Sequence, residues 1–90
     1  MLSFGQFIHR ERKAGRKATT YSYIKYVILE LRNQRGEVSI NEVFTVLWQQ
    51  SRRDKRFQYT KEQVFNAIKE LAKSGEISVV KFRGRIRLIH

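Results

Sequence analysis

The stretch YTKEQVFNAIKELAKSGEI, residues 59–77, decides the fold. Thr60-Lys61-Glu62-Gln63 has the form of a capping box, in which the Thr60 hydroxyl accepts the Gln63 backbone N–H and the Gln63 side chain reaches back to Thr60. Tyr59 and Val64 stand at the two positions of a hydrophobic staple. Val64, Phe65, Ile68, Leu71 and Ala72 then recur at helical spacing, which predicts an amphipathic helix with one apolar face. Lys73-Ser74-Gly75 closes it. Past Gly75 the pattern changes to alternation: Ile77 and Val79 flank Ser78, and Ile86 and Leu88 alternate with Arg85 and Arg87. Arg83-Gly84 separates the two runs, with glycine supplying the positive φ of a tight hairpin. With that pair as a two-residue loop, Val79 faces Leu88 and Lys81 faces Ile86, leaving Val80, Phe82, Arg85 and Arg87 on the other face. A register with Phe82 inside the turn is the alternative.

Upstream, Ile24, Val27, Ile28 and Leu31 form the apolar stripe of a helix starting near Thr20, and Gly36 is placed to stop it. Val38 leads into Ser39-Ile40-Asn41-Glu42, a second capping box with Val38 and Val43 as its staple. Ile40, Val43, Phe44 and Leu47 continue a stripe that ends near residues 50–52. Residues 20–90 thus predict three helices, with a short extended piece at residues 37–38, followed by a two-stranded hairpin. Residues 1–19 form a separate N-terminal segment. Leu2, Phe4, Phe7 and Ile8 suit a short helix that docks on the domain or on a second subunit, whereas residues 9–19, HRERKAGRKAT, read as a charged arm.

Ninety residues with 41% hydrophobic side chains make one α+β domain. Cysteine is absent, which excludes a disulfide scaffold, a cysteine-based zinc site and thiol chemistry. No apolar run is long enough to span a membrane, and charge begins too early for a signal peptide. Nineteen Lys and Arg against eight Asp and Glu give a net charge of +11. The excess is uneven. It falls on residues 1–19, on residues 52–60 and on residues 77–90, while the helical segments between them balance. A polyanionic partner follows from the sum, and basic edges around neutral helices follow from the distribution.

The order of elements across residues 20–90, and above all the capped helix of residues 60–74 running through Leu71 and Gly75-Glu76-Ile77 into the hairpin, resembles the winged helix-turn-helix family. The proline-free, cysteine-free and Arg-rich character looks like the small regulators of archaea and their viruses. The family's turn before its recognition helix is usually short, whereas residues 52–59 supply up to eight here. The resemblance implies that the helix at residues 60–74 enters the major groove and that the hairpin, residues 76–90, is the wing.

On that footing the reading helix offers Lys61, Gln63, Asn66, Lys69 and Lys73. A carboxamide offers donor and acceptor together and matches adenine in the major groove, so Gln63 and Asn66 suit base readout. Gln63 is also the capping partner of Thr60, a competing use. The wing offers Lys81, Arg83, Arg85 and Arg87 for phosphates or a minor groove, although edge strands also carry charge to block aggregation. Arg52, Arg53, Lys55 and Arg56 flank the reading helix as phosphate contacts, one or two of them serving the preceding helix C-terminus. Arg10, Arg12, Lys13, Arg16 and Lys17 make an arm that tracks a minor groove or adds only non-specific attraction. Tyr23, Tyr26 and Trp48 lie off the main stripes and are expected at a homodimer interface.

His9 and His90 lie near the termini, Asp54 is the single aspartate, and no acid pair, nucleophile–base spacing or Gly-rich phosphate loop occurs. The expectation is a non-enzymatic, sequence-specific double-stranded DNA-binding protein, a small transcriptional regulator without cofactor or metal, cytoplasmic and nucleoid-associated. The rivals are an RNA-binding or ribosomal-type protein, a non-specific architectural DNA-coating protein and a protein-interaction winged helix.

Overall fold

A computed structural model describes residues 1–82 and 85–89, Arg85 through its backbone. Four helices and three strands follow in the order α1 (Phe4–Lys13), α2 (Thr20–Arg35), β1 (Glu37–Ser39), α3 (Ile40–Arg53), α4 (Lys61–Lys73), β2 (Ser78–Phe82) and β3 (Arg85–Ile89). The mixed α+β class agrees with the sequence reading. Two details are corrected: a fourth helix precedes the expected three, and the hairpin belongs to a three-stranded sheet.

The extra strand is the extended piece between α2 and α3. Gly36, at φ +77°, ends α2 in the left-handed region that glycine enters without steric cost, and the chain turns directly into β1. β1 pairs antiparallel with β3, Val38 opposite Leu88, and the spatial order is β1-β3-β2. Val38 and Leu88 are both buried, so burying this cross-strand pair on the core recruits the third strand. The β2–β3 register is the expected one, Val79 opposite Leu88 and Lys81 opposite Ile86. The expected loop residues Arg83 and Gly84, the Arg85 side chain and His90 lie outside the described residues.

α1 bears out the short helix expected from Leu2, Phe4, Phe7 and Ile8 to dock on the domain, and by running on to Lys13 it makes residues 9–13 of the expected charged arm helical. Ser3 and Gln6 form a reciprocal capping box, and Phe4 and Phe7 are buried. The apolar positions are few, so periodicity alone is weak; the Ser-x-x-Gln box is the signal that marks this start. The helix docks on the aromatic side of α2. The Tyr23 hydroxyl donates to the Leu2 carbonyl at 2.8 Å, and the Leu2 N–H donates to the Tyr26 hydroxyl at 2.7 Å. Phe4 and Phe7 meet the Tyr23 ring edge-on, each with centroids 5.2 Å apart. In the last turn of α1, Glu11 is buried and accepts from Arg10 and Arg16, which folds the chain at residues 14–16 back onto the helix.

Phe57 joins this cluster from the turn between α3 and α4. It is fully buried, 5.1 Å from Phe4, 5.1 Å from Tyr23 and stacked at 5.5 Å on Tyr59. The long turn is therefore anchored at its middle, immediately before the Thr60 cap of α4. The expected homodimer interface of Tyr23, Tyr26 and Trp48 is corrected on the same ground for the two tyrosines. Tyr23 is fully buried and Tyr26 half-buried beneath α1, while Trp48 is exposed elsewhere, with the Arg52 guanidinium 4.9 Å above its ring. The chain's own N-terminal helix covers the aromatic face.

α2 runs through the core with Tyr23, Ile24, Val27 and Ile28 fully buried. It is tied to α4 by polar contacts at the rim: the Tyr21 hydroxyl donates to Glu70 Oε2 at 2.6 Å, and Lys25 Nζ lies 3.3 Å from Glu70 Oε1. Arg32 donates to the Glu76 carbonyl at 2.8 Å, holding the exit from α4 into β2. The second expected capping box is half made. Ser39 accepts from the Glu42 N–H, but the Glu42 carboxylate pairs with Arg35. Among the described residues no helix is long and apolar enough to cross a membrane.

Phe57→Ala removes the ring that joins α1, α2 and the turn. It is expected to cost about 3–5 kcal/mol in urea unfolding; a loss under about 1 kcal/mol contradicts this role for the ring.

Three carboxyls are held below their ordinary values by cationic or hydroxyl partners: Glu11 by Arg16 and then Arg10, Asp54 by Arg56, and Glu70 by Tyr21 and then Lys25. A lowered folded-state value means stability that is complete above the ordinary value and lost as pH falls through the folded one. Thermal midpoints should therefore decline below pH 4.5, the ordinary value for Glu11 and Glu70. The triple change Glu11→Gln, Asp54→Asn, Glu70→Gln should flatten that decline.

Candidate nucleic-acid interface

α4 divides cleanly into two faces. Val64, Ala67, Ile68 and Leu71 are buried, and Lys61, Glu62, Asn66, Lys69, Glu70 and Lys73 are exposed. Asn66, Lys69 and Lys73 are spaced at i, i+3 and i+7, so they line one stripe along the helix. No hydrogen bond or ion pair to another described side chain occupies any of the three. The stripe offers a carboxamide near the middle of the helix and two ammonium groups toward its C-terminal end.

Gln63 is spent on the helix start. Its Oε1 accepts from the Thr60 N–H at 2.9 Å, while its own N–H donates to Thr60 Oγ1 at 3.1 Å. The carboxamide is half-buried and its acceptor is used, so the two-sided pattern that reads adenine is not available at this position.

Two acids on α4 belong to the same surface and were not weighed in the sequence. Glu62 stands one turn before Asn66, exposed, where it favours the positive end of the helix and can accept from a cytosine amino group. Glu70 is different, since Tyr21 and Lys25 of α2 engage both its oxygens. Burial first, and then the Glu70 carboxylate, push the Tyr21 phenol up to about 12, so it remains a hydrogen-bond donor at neutral pH. Lys25 carried no sequence signal for this role, because it lies in a neutral helix far along the chain from Glu70.

The sheet splits the wing cations between its faces. Val79, Lys81 and Ile86 share the face that carries Leu88 into the core, whereas Val80, Phe82 and Arg87, with the Arg85 position, share the outer face. On the outer face Arg87 Nη1 lies 3.0 Å from Glu37 Oε1 of β1. Lys81 therefore faces the helices, and Arg87 the opposite side with an acidic partner. This division is the one expected from the register with Arg83-Gly84 as the loop; Arg83 itself lies outside the described residues.

The other basic groups are similarly sorted. Arg56 is clamped to Asp54, with Nη2–Oδ2 at 2.6 Å and a second contact from Nε at 3.0 Å. Arg10 and Arg16 share Glu11. Arg12, Lys13, Lys17, Arg53, Lys55 and Lys61 are exposed and make no ion pair with a described residue. The start of α1 approaches the turn after α3: a Cβ added at Gly5 would sit 3.2 Å from Arg56 Nη2. Exposed ion pairs contribute only about 0–1 kcal/mol, so a phosphate can replace the carboxylate on Arg87 at small cost. Among the described residues no three His, Asp or Glu side chains gather as metal ligands.

The two uses of Gln63 separate experimentally. Gln63→Glu preserves the capping geometry and should keep unfolding stability within about 0.5 kcal/mol, whereas Thr60→Ala, which removes the cap acceptor, should cost about 1 kcal/mol. Equal losses in the two variants would refute the assignment of Gln63 to the cap.

Compared with models of known protein families, with curated proteins and with solved structures, the chain matches none, so the reading of this surface rests on its own residues and geometry.

Proposed function

We propose that the chain is a winged helix-turn-helix protein that binds double-stranded DNA sequence-specifically as a small transcriptional regulator, associated with the nucleoid. The observation that carries this reading is the exposed Asn66–Lys69–Lys73 stripe on a helix whose other face is locked into the core. Such a helix is rigidly presented, as base readout requires, and its width suits the major groove of DNA but not the deep, narrow one of RNA. Three features support it. The α2–α3–α4 order is followed at once by the β2–β3 hairpin. Lys61 stands at the start of the stripe's helix and Lys81 beside it, both without an acidic partner among the described residues. Exposed cations at Arg12, Lys13, Lys17, Arg53 and Lys55 offer phosphate contacts away from the reading helix.

In this reading Asn66 contacts a base, and Lys69, Lys73, Lys81, Arg53 and Lys55 contact phosphates. Arg87 contacts a further phosphate from the outer wing face, leaving Glu37 to do so. No chemistry on the nucleic acid is part of the proposal. Two copies on a pseudo-palindromic site complete it, with sedimentation at tens of micromolar as the check on self-association.

Fluorescence anisotropy on duplex DNA, structured RNA and single strands across a salt series tests the partner. Six phosphate contacts predict a log–log salt slope of about −5 on duplex DNA. A flat slope or a preference for RNA defeats the reading. Selection from random duplexes should return a consensus, and its absence favours a DNA-coating protein. Asn66→Ala should relax preference at one base position by about 1–3 kcal/mol while leaving random-duplex affinity almost unchanged.

A further inference from the structure

Between α4 and the inner face of the sheet lies an open groove of about 320 Å³. Phe65, Ile68 and Ala72 of α4 form one wall, Val79 and Ile86 of the sheet the other, and Ile40 closes the end at the start of α3. Its polar residues are Lys69 and Lys81, one on each wall, and no carboxylate is among the described residues that line it. Neither lysine has an ion-pair partner among the described residues. An apolar trough crossed by two unpaired ammonium groups selects a ligand with an apolar body and one anionic head. The volume is at the lower end of small-molecule sites, which excludes a long acyl chain and fits a bicyclic aromatic or medium-chain body.

We propose that this groove binds a small apolar monoanion, an aryl or medium-chain carboxylate, with its carboxylate between Lys69 and Lys81 and its body against Phe65, Ala72, Val79 and Ile86. The site bears on regulation. Lys69 and Lys81 are also phosphate contacts in the DNA-binding reading, and this second half of the proposal rests on that reading. An anion on both lysines removes them from the duplex and fills the space between reading helix and wing. The two ligands then oppose each other, and each weakens the other by the same factor.

The test uses the full-length, isotope-labelled chain and 2-naphthoate, followed by backbone amide shifts. Saturable shifts confined to α4, β2, β3 and the start of α3 are expected. The uncharged analogue 2-naphthalenemethanol should bind about fivefold more weakly, and Lys69→Met and Lys81→Met should each weaken naphthoate about two- to fivefold. Ala72→Leu keeps a good helix former on α4 while filling the trough, and should weaken binding at least about tenfold. Shifts absent up to millimolar naphthoate, or unaffected by Ala72→Leu and both lysine changes, overturn the site. Duplex anisotropy is run beside it. Saturating naphthoate should reduce duplex affinity in the unaltered chain, and unchanged affinity overturns the regulatory half. A chain that binds naphthoate in the groove but no duplex at all overturns the DNA-binding reading and leaves the ligand site standing.

Discussion

Phe57 is the point on which the rest of the arrangement turns. Seven residues separate α3 from α4, long enough for α4 to adopt many tilts if the turn were free. Burying one ring at its centre, among Phe4, Tyr23 and Tyr59, removes that freedom and places the Thr60 cap at a defined point on the core. The same ring gives α1 something to dock on. A chain of ninety residues has little core to spare, so one aromatic that serves the N-terminal helix, the central helix and the turn at once is an economical arrangement.

From that anchor the surface chemistry follows. α4 is held by its apolar stripe on α2 and by Tyr21 and Lys25 on Glu70, which also withdraws one acid from the exposed face. What remains outward is Glu62, Asn66, Lys69 and Lys73, a polar strip with a net positive C-terminal half. Because the helix makes no use of these side chains for its own stability, they are available to a ligand.

Charge is sorted by the same packing. Glu11, Asp54 and Glu37 each take cations that a count along the chain would have left uncommitted. The Arg87–Glu37 pair is exposed on both sides, and its small net worth makes it exchangeable. Glu37 therefore organises that guanidinium group in space without cancelling it as a potential phosphate contact.

Local patterning determined the capped helices, the glycine stops, the hairpin register and the three basic segments, since each rests on neighbours within one turn or across one loop. Asn66 and the lysine stripe were legible for the same reason: helical spacing places them opposite Val64, Ile68 and Leu71. Only the tertiary structure decided the rest. Tyr23 and Tyr26 read as surface aromatics because the Leu2, Phe4 and Phe7 that cover them are some twenty positions away. β1 became a strand only because β3 folded back beside it, fifty positions later. The engagement of Glu70 by Lys25 and of Glu37 by Arg87 depends on long-range packing. Periodicity shows which face of an element is apolar; it carries no information on which other element buries that face.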